Sequence, residues 1–250
     1  MKQLLMVICI CSSVIAFAQD NNVLFKEAEN LERGFKETEA LNKYKQILTN
    51  DAVNIKALVK ATELSCSIGN RIDDKNEKRI NYESGLAFAQ RAIKADNNSA
   101  EANYAFAMAS GKMTEVETEN KKIVTFVNDT KNYVEKALAK NANYGKANFV
   151  LGRWHYEMVT LSGLKKAAVK VFYGGLPEAT LDNAILYMEK CKNLEPYYMI
   201  NYYYLNKAYK ENDKPAKQIE VLSKLIKLPI RNIDDAAMKE DAQKQLQQLQ

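Results

Sequence analysis

The stretch that decides the fold is Leu151–Pro196, LGRWHYEMVTLSGLKKAAVKVFYGGLPEATLDNAILYMEKCKNLEP. Its first part places a leucine and a small residue side by side at Leu151-Gly152, and His155 follows on the same helical face. Small residues let two helices approach within about 8–10 Å, and bulky residues fill the holes beside them. The stretch therefore predicts two helices packed as a hairpin. Its last part carries the matching small and bulky residues before a closing proline, at Ala184, Met188, Cys191 and Pro196.

The same order of residues recurs along the chain and is typical of tetratricopeptide repeats. Tyr202, Leu205 and Tyr209 repeat the first-helix positions, and strand-like alternation is scarce. The sequence predicts an all-α, tetratricopeptide-repeat-like α-solenoid of about five helical hairpins, with inserted helices and a C-terminal capping helix. The remaining units are predicted at Leu24–Ile47, Ile55–Ala92 and Ser99–Ala137, and the cap at Asp234–Leu249.

Three predicted units carry extra residues between their two helices. The third extra segment contains an amphipathic helix, Leu161–Phe172, which has two interpretations. It is a lid packed over Trp154, gaining about 1.5–3 kcal/mol for each large apolar side chain buried, or a contact surface for a partner or a membrane. A capping box, Asn98 with Glu101, is predicted to open the helix of the third unit. The extra segments lie near Arg71–Arg79, Thr114–Val127 and Leu161–Pro177, and the apolar face of the third comprises Leu161, Leu164, Ala168, Val171 and Phe172.

The first eighteen residues have the pattern of a secretory signal peptide. Lys2 gives a positive start, Leu4–Ile15 is apolar, and Ala16-Phe17-Ala18 is a small-x-small cleavage signal. The apolar run is shorter than the roughly 20 residues that cross a bilayer, and an uncleaved anchor is the alternative interpretation. We predict a signal peptide at 1–18, a helical domain at 19–250, and an exported protein that is periplasmic or extracellular, without a stable membrane span after cleavage.

Composition argues against several classes of function. The formal net charge is +5, a mild excess on a mixed surface, whereas nucleic-acid binding needs a concentrated basic stripe. Cys66 and Cys191 are the cysteines that follow the leader, and two are too few for a disulfide framework or a zinc site. We expect both to be buried and reduced, and we expect no metal, no cofactor and no nucleic-acid partner.

His155 and Cys191 are the residues that bear on catalysis. They face the interior of the same predicted hairpin, and a Cys–His pair can activate a thiolate. The alternative is that both are buried fillers, because these repeat positions usually hold tyrosine and alanine. A chain with a single histidine has little material for a triad. We therefore expect no catalytic residues and a protein that is not an enzyme.

A candidate binding groove follows from projecting one helical register onto neighbouring first helices. The projection gives aromatic platforms and four cations on the concave face, a surface suited to a peptide or partner protein with acidic groups. The alternative is a solvated inner face without a preferred ligand. A second class of function is a helical small-molecule or glycan-binding component of an envelope complex, with a pocket under the Leu161–Phe172 helix. The predicted partner-binding residues are Tyr104, Lys146, Phe149, Arg153, Tyr156, Tyr203, Lys207 and Lys210.

About the last 100 residues contain a distinctive block, in which Leu151–Trp154 is followed by Lys165–Phe172 and Gly174–Pro177. Over this part the chain resembles the regulator of microtubule dynamics family. The resemblance implies an α-helical repeat protein that acts through protein–protein contacts, and in animals such proteins are associated with microtubules and organelle membranes. An exported chain would not meet cytosolic microtubules, so we expect the fold to carry over and the partner not to. The family often has cysteine where this chain has His155, which argues against a shared catalytic role. The resemblance is carried by Leu151–Trp154, Leu161-Ser162, Lys165–Phe172, Gly174–Pro177, Ala184–Tyr187, Leu194–Pro196 and Tyr203–Tyr209.

Overall fold

The computed structural model describes residues 21–162, 166, 169–171 and 178–249, and within these ranges the chain is helical without a strand. The predicted signal peptide and much of the third extra segment lie outside the described residues. The all-α solenoid prediction is confirmed. The helices are α1 (21–33), α2 (Glu37–Asn50), α3 (Ile55–Asn70), α4 (Lys75–Ala95), α5 (Ala100–Met113), α6 (Asn120–Lys140), α7 (Gly145–Thr160), α8 (Leu181–Leu194), α9 (Met199–Glu211), α10 (Pro215–Leu225) and α11 (Asp235–Leu249).

The helices pair in chain order into five hairpins, from α1–α2 to α9–α10, and the hairpins stack side by side. The first helices α3, α5, α7 and α9 contact one another in turn and form the inner layer, while the second helices form the outer layer. Helix α11 packs on α9 and α10, so the predicted capping helix is confirmed. Terminal repeats of a solenoid need such a cap because their outer face would otherwise expose apolar surface.

The hairpins repeat with a regular spacing along the chain. The N-cap residues of α3, α5 and α7 are Asn54, Ser99 and Tyr144, 45 residues apart, and the N-cap of α9, Tyr198, follows after 54. Helices α4 and α6 have 21 residues each, against 14 for α2 and α8. The extra residues predicted near Arg71–Arg79 and Thr114–Val127 therefore lengthen the second helices mainly, and they do not form separate inserted helices.

In α5, α7 and α9 the fourth position after the N-cap ties the helix to the turn before it. Asn103 and Asn148 each donate from Nδ2 to the carbonyl six residues upstream, at 2.9 and 3.1 Å. Tyr202 reaches the same place with its hydroxyl, which donates to the Pro196 carbonyl at 2.9 Å. These bonds satisfy buried carbonyl groups that the turn leaves without a helical partner. The cap of α5 itself is Ser99, whose Oγ accepts from the amide of Ala102, so the predicted capping role of Asn98 is wrong.

The described part of the third extra segment corrects one predicted helix face. Val169 is buried and lies beside Trp154 and Leu161 along one cavity, whereas Val171, predicted on the apolar face, is 74% exposed. Trp154 is buried, and its Nε1–H donates to the carbonyl of Val127 at 3.1 Å. The segment thus approaches the α5–α6–α7 core through Val169.

Candidate functional site

The inner face of the solenoid is built from two repeated positions on the first helices. The fifth residue after each N-cap gives Val59, Tyr104, Phe149 and Tyr203. The ninth residue after each N-cap gives Glu63, Met108, Arg153 and Lys207. Equivalent positions on stacked helices face the same way, so these side chains share one surface. The surface carries aromatic, cationic and acidic groups in neighbouring units.

Glu63 is the centre of a charged cluster on this face. Lys146 Nζ and the Tyr104 hydroxyl both donate to its Oε1, at 2.6 and 2.9 Å, and Lys60 Nζ lies 3.8 Å from Oε2. Burial alone would raise the pKa of Glu63, but the charges of Lys146 and Lys60 lower it overall. The pair Glu63–Lys146 joins α3 to α7 across α5. Tyr104 is 2% exposed, so this predicted platform is covered by the protein's own side chains.

Arg153 is held by two carboxylates of the same face. Its Nε donates to Glu157 at 2.6 Å, and its Nη2 lies 3.3 Å from Oε1 of Glu115. Its guanidinium carbon lies 4.8 Å from the centre of the Tyr204 ring. The sequence prediction counted Lys146 and Arg153 as cations of the groove and missed the acids that pair with them. The charge of the inner face is therefore mixed in this region.

Tyr204 is the centre of an aromatic cluster between α7 and α9. Its ring centre lies 5.7 Å from Phe149, 6.0 Å from Tyr156 and 6.2 Å from Tyr203, all in edge-to-face arrangement. Such contacts between rings favour a fixed geometry. Phe149 is 5% exposed and belongs to the core more than to the surface. Tyr156, Tyr203 and Tyr204 remain partly exposed.

Lys207 lies on this aromatic cluster. Its Nζ is 4.5 Å from the Tyr203 ring centre and 5.3 Å from that of Tyr204. Among the described residues it forms no ion pair. Burial lowers the pKa of Lys207 and the charge of Arg153 adds to this, while the charge of Asp241 opposes it. Burial and a hydrogen bond to Asp241 raise the pKa of Tyr203 to about 12, so this phenol stays neutral. Lys210, one turn further along α9, is exposed to solvent.

Two hollows open on the inner layer. A hollow of 360 Å³ lies over α3, with Lys56, Lys60, Glu63, Tyr144 and Lys146 along it. A cavity of 450 Å³ extends from Tyr104, Lys112, Glu115 and Arg153 to the buried groups Val124, Val127, Trp154 and Val169. The first is bounded mainly by charged groups, and the second has a charged mouth and an apolar interior. The predicted groove is thus two separate hollows, and Glu63, Lys146 and Tyr104 lie between them.

His155 and Cys191 are both buried and in states unsuited to thiolate chemistry. The imidazole is stacked 5.8 Å from Tyr187, and burial lowers its pKa to about 4. Burial raises the pKa of Cys191 to about 12. A thiolate nucleophile needs the opposite shift in the thiol pKa. Cys66 and Cys191, the cysteines among the described residues, are free and buried, as predicted. Within the described ranges no three His, Cys, Asp or Glu residues are grouped to hold a metal ion.

Comparison with known proteins assigns the chain to a family. The family model described as "Regulator of microtubule dynamics protein 1-3" matches residues 24–250. The chain belongs to the regulator of microtubule dynamics protein 1-3 family. The match extends well beyond the last 100 residues that carry the resemblance described above. In the part of the chain that the structure describes, no helix is long and apolar enough to span a membrane.

Members of the family are similar to this chain over part of their length. Regulator of microtubule dynamics protein 3 of Bos taurus is 29% identical over 170 residues, which are 68% of this chain and 36% of that protein. Regulator of microtubule dynamics protein 1 of Mus musculus is 26% identical over 143 residues, 56% of this chain and 46% of that protein. The chain thus matches between a third and a half of the length of these relatives.

Solved structures support the same fold. The crystal structure of TTC0263, a thermophilic TPR protein of Thermus thermophilus, has a TM-score of 0.64 to this chain at 11% sequence identity. The alignment covers 90% of this chain and 99% of that one. At this identity the similarity establishes the fold and not the ligand. The family member is therefore a tetratricopeptide-like helical solenoid.

Proposed function

We propose that this protein is a non-enzymatic scaffold that binds a peptide or a segment of a partner protein on the inner face of its solenoid. The environment of Lys207 is the observation that supports the proposal. A half-buried ammonium lies on the rings of Tyr203 and Tyr204 without an ion-pair partner among the described residues. Desolvating a charge without pairing it is unfavourable, and a carboxylate supplied by a partner would relieve that cost.

The binding surface proposed here is narrower than the eight residues predicted from sequence. It is centred on Tyr156, Tyr203, Lys207 and Lys210, because Tyr104 and Phe149 are buried and Lys146 and Arg153 are already paired. An acidic partner segment remains the proposed ligand, and its acidic group would lie at Lys207. Partly exposed tyrosines supply large contact area at low cost in conformational entropy, which favours their use in binding.

The test is selection of peptides by the immobilised full chain, followed by affinity measurement with substituted proteins. The double variant Tyr203→Ala, Lys207→Ala is expected to lose most of the affinity for the selected peptides. The matched control is the double variant Tyr133→Ala, Lys136→Ala on the outer helix α6. It removes a similar contact, in which Lys136 Nζ lies 4.3 Å from the centre of the Tyr133 ring. Equal losses in both variants, or no loss in either, would refute binding on the inner face.

Lys207 is a better target for charge reversal than Arg153. An Arg153→Glu substitution would place a third carboxylate beside Glu115 and Glu157, and it would perturb the fold as well as the surface. A Lys207→Glu substitution leaves those pairs intact. If the partner segment is acidic, Lys207→Glu is expected to weaken binding more than Lys207→Ala, and added salt is expected to weaken binding to the unsubstituted protein.

The second candidate is binding of a small molecule or glycan as part of an envelope complex. The 450 Å³ cavity supports it, because Leu161, Ser162 and Val169 of the third extra segment line that cavity together with Trp154. Enclosed, mainly apolar pockets with a few polar groups are typical of small-molecule sites. Thermal-shift screening separates the candidates: a saturable rise in melting temperature with a glycan, lost in Val169→Trp, supports the second.

We also propose that the protein is exported, on the strength of the leader at 1–18. Export fits the free but buried state of Cys66 and Cys191, which cannot pair wrongly in an oxidising compartment while they are folded. Fractionation of cells with antibodies to the chain tests this proposal, and amino-terminal sequencing of the recovered protein locates the cleavage. Recovery of the intact chain from the cytosol would contradict it.

A further inference from the structure

One ion pair joins parts of the solenoid that are far apart in sequence. Arg71 follows the last residue of α3, and its Nη1 lies 3.2 Å from Oδ2 of Asp234, just before α11. The same Nη1 also donates to Ser67 Oγ, and Nη2 on the other side of the guanidinium donates to Glu37, the first residue of α2. We name Arg71–Asp234 the closing ion pair. It connects the second hairpin to the segment that enters the cap.

This contact is unusual for a solenoid, in which each repeat normally contacts only its neighbours. Helices α3, α5, α7, α9 and α11 contact one another in that order along the inner layer. Among the described helices, α2 and α3 do not pack against α10 or α11. The closing ion pair therefore joins the two ends of this row and completes a ring of inner elements.

We infer that the closing ion pair is an electrostatic gate of the inner face: the ring is closed while Arg71 and Asp234 are paired, and it opens to admit a bound chain when they separate. The inference goes beyond the proposed function, because ring opening exists and is measured without any ligand. Side-chain exposures of 27% and 32% leave the pair accessible to water and salt. A partly exposed pair contributes a small part of the stability, so losing it shifts the populations of the closed and open states and leaves the hairpins folded.

The gate is tested by measuring the distance across it with nitroxide labels in the full chain. Asp73 and Asn232 are exposed positions on the two sides of the pair and are changed to cysteine for labelling. Cys66 and Cys191 are buried and stay unlabelled, and Cys9 and Cys11 are changed to serine. Double electron–electron resonance is expected to give a distribution in which a short distance dominates at low salt. Asp234→Asn is expected to shift the distribution to longer distances.

Salt supplies a test without a substitution at the gate. At about 1 M salt the Debye length falls to about 3 Å, and the unsubstituted ring is expected to show the same longer distances as Asp234→Asn. The matched control is Glu29→Gln, which removes a carboxylate from another solvent-accessible ion pair, Glu29–Lys56 at 2.9 Å, between neighbouring units. That variant is expected to keep the short distance at low salt.

Two outcomes overturn the inference. The first is an unchanged distance distribution in both Asp234→Asn and high salt, which would mean that other contacts hold the ring. The second is an equal lengthening in Asp234→Asn and Glu29→Gln, which would indicate general loosening of the solenoid. Circular dichroism on each labelled protein confirms that the helices are retained. Asp234 lies in a linker before α11, so its substitution to asparagine is expected to leave the helices folded.

Discussion

The ammonium of Lys146 lies 2.6 Å from the carboxylate of Glu63, although 83 residues and a whole helical hairpin separate them in the chain. Their helices, α7 and α3, are second neighbours in the inner layer, so the pair spans the intervening α5. Tyr104 of α5 lies beneath the pair and donates its hydroxyl to the same carboxylate at 2.9 Å. Three successive units thus meet at one acidic group.

The Glu63 carboxylate is expected to make the stability of the protein depend on acidity. Because its pKa is lowered in the folded state by Lys146 and Lys60, its contribution is present above the unfolded pKa of about 4.3 and is lost as the pH falls through the folded pKa. Replacing Glu63 by Gln is expected to cost about 1.5–3 kcal/mol at pH 7. Urea denaturation at pH 7 and pH 3 measures both effects.

The control for this variant is Glu240→Gln, which removes a fully exposed i,i+4 partner of Lys244 on α11. Exposed pairs of this kind contribute little to stability, so little change is expected. A Glu63→Gln protein as stable as the control at pH 7, with the same steepness of acid unfolding as the parent, would show that the cluster does not stabilise the inner layer.

His155 is expected to make the stability of the protein depend on pH in a higher range than Glu63 does. Its pKa is lowered to about 4 by burial and by Lys131, so the folded state resists protonation. The neutral form therefore stabilises the fold above the unfolded pKa of about 6.5, and this stability is lost as the pH falls from there to about 4. His155→Phe keeps an aromatic ring against Tyr187 and removes the titratable imidazole. We expect a flatter stability profile between pH 7 and pH 4.

At pH 7 the same substitution is expected to be neutral or stabilising. Nδ1 of His155 is buried without a hydrogen-bond partner within the described residues, and a buried unsatisfied group is costly to retain. Urea denaturation midpoints of the parent and of His155→Phe, measured from pH 7 to pH 4, test both expectations. A profile for His155→Phe that is parallel to that of the parent down to pH 4 would contradict the assignment.

The two buried thiols are expected to be inert in the folded protein. Burial raises the pKa of both Cys66 and Cys191 to about 12, and the thiolate is the form that reacts. Alkylation at pH 8 followed by peptide mass mapping is expected to modify neither residue in native buffer and both in denaturant. Fast native modification of Cys191, with Cys66 unmodified, would revive the His155–Cys191 site that the structure argues against.

The sequence predicted the helical hairpins well because their signals are local. Leu151-Gly152 and Ala184 have the sequence spacing of two helices packed against each other within one unit. In the structure Gly152 of α7 packs against Ala184 of α8. The pairings of Glu63 with Lys146 and of Glu115 with Arg153 were missed because these partners lie in different units, at distances set by the curvature of the whole stack. A signal was present nevertheless: Glu63 stands nine residues after its N-cap, as Arg153 and Lys207 do.

The lengths of the second helices were missed for a similar reason. Extra residues between two helical patterns are equally consistent with a separate inserted helix and with extra turns of the second helix. Local helix propensity does not distinguish these two outcomes. Helix α4 begins at Lys75 because Asp74 caps it, accepting from the amides of Asn76 and Glu77. That cap places the start of the helix within the expected insertion. Asp74 is the local sign that the helix is longer than a standard repeat requires.

Gly152 and Gly111 are expected to respond to alanine in opposite directions. A Cβ at Gly152 would lie 2.8 Å from Cγ of Met188 and 3.0 Å from the carbonyl oxygen of Ala184, where α7 meets α8. We expect Gly152→Ala to destabilise the protein by about 1–3 kcal/mol through overpacking. A Cβ at Gly111 would meet Thr130 at an ordinary 3.6 Å. Gly111→Ala is therefore expected to stabilise the helix by about 0.5–1 kcal/mol.

Denaturation midpoints of the two variants measure this difference directly, and each serves as the control for the other. Met188→Ala removes the nearer of the two clashing groups but leaves a cavity of its own. In a double-mutant cycle the Gly152→Ala, Met188→Ala protein is therefore expected to lose less stability than the sum of the two single losses. Similar effects of both glycine substitutions, whatever their sign, would show that the α7–α8 contact tolerates a methyl group and that the small residue there is not required by packing.

The turn between α1 and α2 contains a backbone conformation that a glycine would adopt more easily. Phe35 has φ 59°, and the amide of Lys36 bonds to the carbonyl of Leu31 while that of Phe35 bonds to the carbonyl of Glu32. These two bonds define a Schellman motif with Phe35 at the left-handed position. The left-handed region costs a residue with a Cβ about 1–2 kcal/mol. Phe35→Gly is therefore expected to stabilise the protein by about 1 kcal/mol.

The comparison that isolates the backbone is Phe35→Ala, which removes the same ring and keeps the Cβ. The Phe35 side chain is 42% exposed, so both substitutions lose a similar and modest amount of buried apolar surface. Glycine is expected to exceed alanine in urea midpoint, and the difference measures the strain of the left-handed turn. Asp213, with φ 50° in the corresponding turn after α9, is expected to gain less from glycine, because aspartate tolerates this region better than phenylalanine. Equal midpoints for Phe35→Gly and Phe35→Ala would mean that the turn carries no such strain.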